Sequence, residues 1–473
     1  MGTINSAMTV ITGALDADQE ALSVVANNVA NANTTGYTEE QPNWQENAPI
    51  TIGGTQVGDG VTETGATSQR DRVLEERLDQ QQQMASASST RLSALNDIQA
   101  LFTSDSGSSS ATAGDIGSDL TSFFDSFSSL ESDPTDNALR EDVLSSASTL
   151  AGDISGAASS LNAQSAALNQ DATGIASQVN SLTGAIAQLN LQIQSTSPDA
   201  DAGTLEDQRQ QDLSQLSQLI GINQVTTENN GLSITTTSGQ LLVSEGQSFQ
   251  LTTGTVNGVT DFFAGGTDIT SQLASGGGQL GGDLTARDQD IPSALGSLDQ
   301  LAYSISTQVN AQNNAGVDLD GVTGTAADPL DIFNQPAQVA GSAAAMSVVM
   351  TDPNQIAAAS AGDGTGDNSN AVALAGLANQ TIVNGQTPIN FYSNFVSTLG
   401  STVSEVQTEN TAQNASVTQL QTQNNAISSV NLNDEAASMS TLESSYQAAS
   451  QVFTLLNTVM ASALNLGEQT TVS

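Results

Sequence analysis

Apolar residues at the two ends of the chain recur at helical spacing. Ile4, Met8, Ile11, Leu15, Leu22, Val25 and Val29 follow steps of four and three, with Asp18 interrupting between Leu15 and Leu22. Leu432, Ala436, Met439, Leu442, Tyr446, Ala449, Phe453, Leu456, Met460 and Ala463 repeat nearly the same pattern. This spacing places one narrow apolar stripe on each helix, as in a coiled-coil seam. A stripe must be covered, and two striped helices at opposite termini can cover each other only if the chain leaves and returns. The spacing therefore predicts paired ends, with everything between them an excursion.

The excursion begins at a breaker cluster, Asn31 to Gly36, followed by Pro42 and Pro49. Residues 50–61, with Gly53-Gly54 between β-prone runs, predict a hairpin. Helical periodicity returns from Arg70 to about Phe102, and Gly and Ser at 104–110 predict a loop. Further helices are expected at 115–130, 134–169, 172–196 and 205–219, with Pro134 in a first turn and Gly221 ending the last. The period then changes: Leu232 and Ile234 alternate, and Leu241 to Val243 form an apolar run in a Thr- and Gly-rich segment, predicting a small β domain. Helix resumes over 291–313, residues 315–390 are rich in turns, and a polar helix over 392–426 needs a neighbour, expected to be the 70–102 and 134–196 helices.

The predicted fold is mainly α with a smaller β part: terminal coiled-coil helices, an elongated helical bundle domain and an inserted small β domain. Residues 1–36 and 430–473 form the inner pair. Residues 37–221 and 283–429 form the helical domain, and 222–282 the outer β domain.

Composition narrows the function. The chain of 473 residues has no cysteine and no histidine, and all seven basic residues are arginine. Thiol and histidine nucleophiles, the usual zinc ligands and the phosphate-gripping lysine are thereby absent. A formal net charge of -43 opposes nucleic acid and anionic membranes. No apolar run is long enough to span a bilayer, and a basic, cleavable leader is not expected. Asp318, Asp320 and Gly321 suggest a turn rather than calcium, because the further acids of an EF-hand loop are missing. Arg70, Arg72 and Arg77, beside Asp71, Glu75 and Glu76, predict a solvated ion-pair network on one helix. No cofactor, metal or catalytic residue is expected.

Two stretches carry a resemblance. Residues 27–37, NNVANANTTGY, resemble the motif shared by rod, hook and hook-associated proteins of the bacterial flagellar axis, here with Asn28, Asn31, Asn33, Gly36 and Tyr37. Residues 427–449, ISSVNLNDEAASMSTLESSYQAA, are similar to the C-terminal axial motif. Thr35 stands where these proteins often have proline, and Glu39-Glu40 where they often have Ser or Arg followed by Gln. Four middle segments, at 133–151, 205–222, 276–321 and 351–377, resemble the hook-associated protein 1 family in the same order.

The resemblance implies a structural subunit at the hook-filament junction, outside the cell, exported through the flagellar type III channel without a cleaved signal peptide. It implies self-association into a ring, contacts with the hook protein and a second junction protein, and an export chaperone on the C-terminal helix. The stripe residues Ile4, Met8, Ile11, Leu15, Leu22, Val25, Val29, Leu432, Met439, Leu442, Tyr446, Phe453, Leu456 and Met460 would form the assembly interface. The alternatives are another flagellar axial protein of hook or rod type, or a secreted coiled-coil adhesin.

Overall fold

The computed structural model describes residues 2–52, 54–103, 115–196, 201–227, 230–256 and 258–469. The loop expected at 104–110 and Gly53 of the expected hairpin tip lie outside the described residues. Helix α1 (Gly2–Asn31) leads into strands β1 (Glu40–Glu46), β2 (Ile50–Ile52), β3 (Thr55–Val57) and β4 (Val61–Ser68). Helices α2 (Arg72–Ala100), α3 (Ile116–Leu130), α4 (Asn137–Ser195) and α5 (Thr204–Leu219) follow. The β part contains β5 (Ile222–Thr226), β6 (Leu232–Thr236), β7 (Leu241–Ser244), β8 (Gln247–Ser248), β9 (Leu251–Val256), β10 (Val259–Ala264) and β11 (Thr267–Asp268). Then come α6 (Thr270–Ala274), α7 (Gly278–Thr285), a π-helical turn (Ala286–Asp290) and α8 (Ile291–Ala315). Short pieces β12 (Gly316–Val317), α9 (Ser342–Ala345), β13 (Ala359–Ser360) and α10 (Ser369–Gly376) precede the long α11 (Pro388–Ser428) and α12 (Leu432–Gln469).

The hairpin β2–β3 forms where the Gly pair predicted it, but it crowns a longer ribbon. β1 and β4 pair antiparallel from Glu40 opposite Ser68 to Glu46 opposite Val61. The expected helices at 134–169 and 172–196 are one helix, α4, about 90 Å long at 1.5 Å per residue. Pro134 does not open it. Asp136 caps it by accepting from the Ala138 N–H, and Pro134 lies in the turn before.

Along α4 run two cores. Its first half contributes Val143, Leu150, Ile154 and Leu161 to a cluster with Phe123 and Phe127 of α3, Leu298 and Ile305 of α8, and Phe333. Its second half contributes Ala172, Val179 and Ile186 to a cluster with Leu216 of α5, Ile234 of β6, Phe262 of β10 and Leu284 of α7. The segment 222–282 therefore shares its core with α4 and α5 and includes two short helices.

Three asparagines on α4 explain the attachment. Asn169 Oδ1 accepts from Thr260 N and its Nδ2 donates to Thr260 Oγ1, both at 3.0 Å. Asn180 exchanges two 2.8 Å bonds with the Leu251 peptide. Asn190 donates to Leu232 O and Glu245 O. Spacings of about three helical turns put all three on one face, each clamping a different strand. Asn169, where the first of the two expected helices ended, is a strand clamp inside α4.

The turn-rich stretch after α8 is held by the same chemistry. Asn310 accepts from Ile332 N and Phe333 N and donates to Phe333 O. Asn313 joins Leu330 O to Ala357 N, and Asp299 accepts from Gly341 N and Ala343 N. Asp318 accepts from Val322 N across a turn with Gly321 at φ +78°, and among the described residues no three acids gather as metal ligands.

Three further expectations change. The polar helix α11 lies against α2, α3 and α8 rather than α4. Gly221 does not end α5 as a left-handed cap: a Cβ there would sit 1.8 Å from Gly276 O, so close backbone approach demands glycine. Arg70, Arg72 and Arg91 pair between elements rather than along one helix. Arg70 and Arg72 reach Glu206 and Asp207 of α5, and Arg91 holds Asp290 with two 2.9 Å bonds.

Asp79 of α2 is 2% exposed; its Oδ2 accepts from Gln210 and Gln224 while Oδ1 has no partner. Burial pushes its carboxyl up to about 7, opposed by the two amide donors and aided by Glu75 and Glu76. The folded chain thus keeps a proton that the unfolded chain loses near pH 4, so this group's contribution to stability falls between about pH 4 and 7 and stays lost above. Asp79→Asn is expected to match the parent near pH 4 and to be more stable by about 2 kcal/mol at pH 8. Urea unfolding at both pH values and fixed ionic strength checks this.

Candidate assembly interface

Helix α1 lies between α12 on one side and the β1–β4 ribbon on the other. Its environment is graded. Ile4, Met8, Ile11, Leu15 and Leu22 are half-buried, Val25 is buried and Val29 is 40% exposed. The most buried line is instead Ala17, Ala21, Val25 and Asn28, offset from the stripe of large residues. Alanines let neighbouring backbones approach, and a search for large apolar residues passes over them. On α12, Met439, Leu442, Phe453, Leu456 and Met460 are half-buried. Its principal neighbour is α1, so this half-buried face is the seam. Leu432 and Tyr446, expected in the seam, are exposed at 52% and 38%. A second apolar line, Val452, Leu455 and Val459, is uncovered in the single chain.

The turn after α1 is built around Asn28, which is 1% exposed. Its Nδ2 donates to Glu40 O and to Glu435 Oε1, both at 2.8 Å; its Oδ1 accepts from Tyr37 Oη at 2.7 Å and Glu40 N at 3.0 Å. All four hydrogen-bonding positions of the amide are filled. One side chain thus joins α1, the turn, β1 and α12. Asn31 Nδ2 donates to Asn27, its Oδ1 accepts from Thr34 Oγ1, and Gly36 takes φ +81°, which an L side chain rarely adopts. Asn33 is exposed.

Burial, reinforced by Glu40 and Asp207, raises the Tyr37 phenol above its ordinary range and keeps it a donor. Burial also raises Glu435 despite the bond from Asn28, with Glu39 and Asp434 adding to it.

Next to this node, four chain segments meet where the terminal pair joins the body. Thr38 N donates to Asp207 Oδ2 at 3.0 Å, and Arg70 donates to the other oxygen at 2.5 Å. Ser68 N donates to Asp201, and Glu39 N to Ser428 O at the end of α11. Sequence reading missed Glu435, Glu40 and Asp207. Glu435 stands inside the C-terminal motif, and the only signal was an acid just past the start of an amphipathic helix.

Residues 8–38, which contain most of α1 and this turn, match the family described as flagella basal body rod protein. Residues 95–327 match the family described as the helical domain of the flagellar hook-associated protein FlgK. Flagellar hook-associated protein 1 of Salmonella typhimurium (strain LT2) is 26% identical, with 98% of this chain and 99% of that protein covered. The chain belongs to the flagellar hook-associated protein 1 family. Other relatives of that name, from Escherichia coli K12 and Bacillus subtilis 168, are each 26% identical over at least 96% of both partners. The structure of the flagellar hook junction protein FlgK from Burkholderia pseudomallei shares the fold, with TM-score 0.64 and 20% identity over 74% of this chain and 99% of that one.

In this member of the hook-associated family, Asn28→Ala would leave the Glu435 carboxylate, the Tyr37 hydroxyl and the Glu40 peptide without their partner. The expected cost is about 3 kcal/mol, confined to the terminal pair. Hydrogen exchange should accelerate in 2–31 and 432–469 and stay unchanged in α4. Asn28→Asp should be worse, since it sets a second carboxylate against Glu435.

Proposed function

We propose that this chain is a structural subunit joining the flagellar hook to the filament, and that it polymerises through its terminal helices. The single observation that carries this reading is the Asn28–Glu435 bond. It ties together the two terminal stretches that resemble axial proteins, although 407 positions separate them.

In this reading the inner part is 1–36 with 430–473, the helical domain 37–221 with 283–429, and the β part 222–282 faces outward. The subunit works outside the cell and does no catalysis. Its partners are further copies of itself in a ring, the hook protein and a second junction protein towards the filament. Export proceeds without a cleaved signal peptide, with a chaperone on the C-terminal helix, whose uncovered Val452, Leu455 and Val459 would need shielding before assembly.

Deleting the gene tests the reading. Cells should still make hooks and should release their filament protein unattached, and electron microscopy should place the complementing protein at hook tips. Normal filaments on cells lacking the gene would overturn it.

A further inference from the structure

A groove of about 880 Å³ lies away from the terminal helices, between α4 and α7, with Thr90 of α2 at its edge. Asp283 of α7 lines its floor and is 4% exposed. Among the described residues no hydrogen-bond donor reaches this carboxylate. Asp171, exposed on α4 at the rim, adds a second negative charge. Arg287, the cation that faces them, is already engaged: its guanidinium bonds Asp288 at 2.7 and 2.9 Å, Asn169 Oδ1 at 2.9 Å and Thr260 O at 2.8 Å. A buried carboxylate with no donor and a like charge beside it is costly unless a cation or a proton joins it. A chain with seven basic and fifty acidic residues has few cations to spare, so countercharge comes from solution.

We propose that this groove is a hard-cation site in which Asp283 and Asp171 hold a divalent ion, Ca²⁺ or Mg²⁺, between α4 and α7. Gln178, Gln279 and Thr90 are among the other polar residues that line it and offer amide and hydroxyl oxygens, and the lining contains no nitrogen base or sulfur. Oxygen-only ligands select hard cations. Two carboxylates in a groove wide enough to retain water set the affinity in the range of extracellular modules, a dissociation constant on the order of 10⁻⁴ to 10⁻³ M. The ion would tie α7 to the middle of α4 and so brace the second core.

The experiment is calorimetric titration of the full chain with CaCl₂ and with MgCl₂, at fixed ionic strength so that diffuse screening is constant. It is run at about pH 8, above the value of about 7 to which burial raises the Asp283 carboxyl. One saturable site per chain is expected, weakened at least about tenfold in Asp171→Asn and abolished in Asp283→Asn. The thermal midpoint should rise with Ca²⁺ in the parent and not in Asp283→Asn. Asp171 is exposed, so its variant keeps the test decisive if Asp283→Asn folds poorly. Absence of saturable binding at this pH, where the carboxyl has lost its proton, would mean that water alone answers the charge. That result, or unchanged affinity in both variants, overturns the proposal.

Discussion

Arg140→Ala is expected to lower the stability of the first core by about 4 kcal/mol and its thermal midpoint by about 10 °C. Arg140 is 1% exposed and, among the described residues, forms no salt bridge; its donors go to backbone carbonyls. Nε and Nη2 both bond Pro134 O, at 2.8 and 2.6 Å, and Nη1 bonds Ile356 O at 2.6 Å with longer contacts to Pro353 O and Asn354 O. The planar fork thus holds the turn before α4 and the loop around 353–356 at once. Burial lowers its pKa, with Asp318 opposing that shift, yet no ordinary pH discharges it.

Truncation to alanine opens a cavity and strands carbonyls that water cannot easily reach, the two costs that make large mutational losses. Arg140→Lys should recover only part of the loss, because one ammonium cannot reproduce a fork with two outer arms. Urea unfolding followed by circular dichroism checks both variants. Equal stability of Arg140→Lys and the parent would mean that charge, not geometry, matters at this position.

Arg140 also shows what kind of information the sequence carried. It sits in the segment 133–151 that resembled the family, and Glu206, Asp207, Arg287, Asp290, Asn310 and Asn313 sit in other such segments. Apolar periodicity located most helices, including α1, α2, α8 and α12, because burial of one face imposes a period that can be read without knowing the partner. Periodicity cannot show which polar residue is spent on a distant peptide. Asn169 and Asn180 fell inside expected helices with nothing to single them out and are strand clamps, since an asparagine that clamps and one that caps have the same composition. The β1–β4 ribbon escaped notice for a related reason: β1 is mostly exposed, lacks alternation and contains Pro42, so no apolar pattern marks it. The arginines were assigned to pairs along one helix because i to i+4 neighbours are visible in sequence, whereas Arg70 and Asp207 meet only through the fold.

The assembly interface divides in the same way, and the two faces of α12 make the division testable. The half-buried face with Phe453 packs towards α1 within the subunit, while Leu455, 65% exposed, lies with Val452 and Val459 on the uncovered line. Leu455→Asp is expected to leave the single subunit folded, with unchanged circular dichroism and urea midpoint, and to abolish its incorporation at hook tips. Covering the three apolar side chains between subunits stabilises each contact by about 2 kcal/mol per residue, and a buried aspartate reverses the sign of that contribution. A repeating polymer applies the penalty at every subunit, so a chain that already carries a net charge of -43 has little tolerance for one more unpaired acid at a contact. Phe453→Asp should act earlier, loosening α12 from α1 in the monomer and speeding hydrogen exchange in both helices before any assembly is attempted. Complementation of filament attachment, read beside hydrogen exchange of the purified subunit, separates the two. If Leu455→Asp restores attached filaments as well as the parent does, the uncovered line is not an assembly surface, and the stripe on α12 serves only the pairing within one chain.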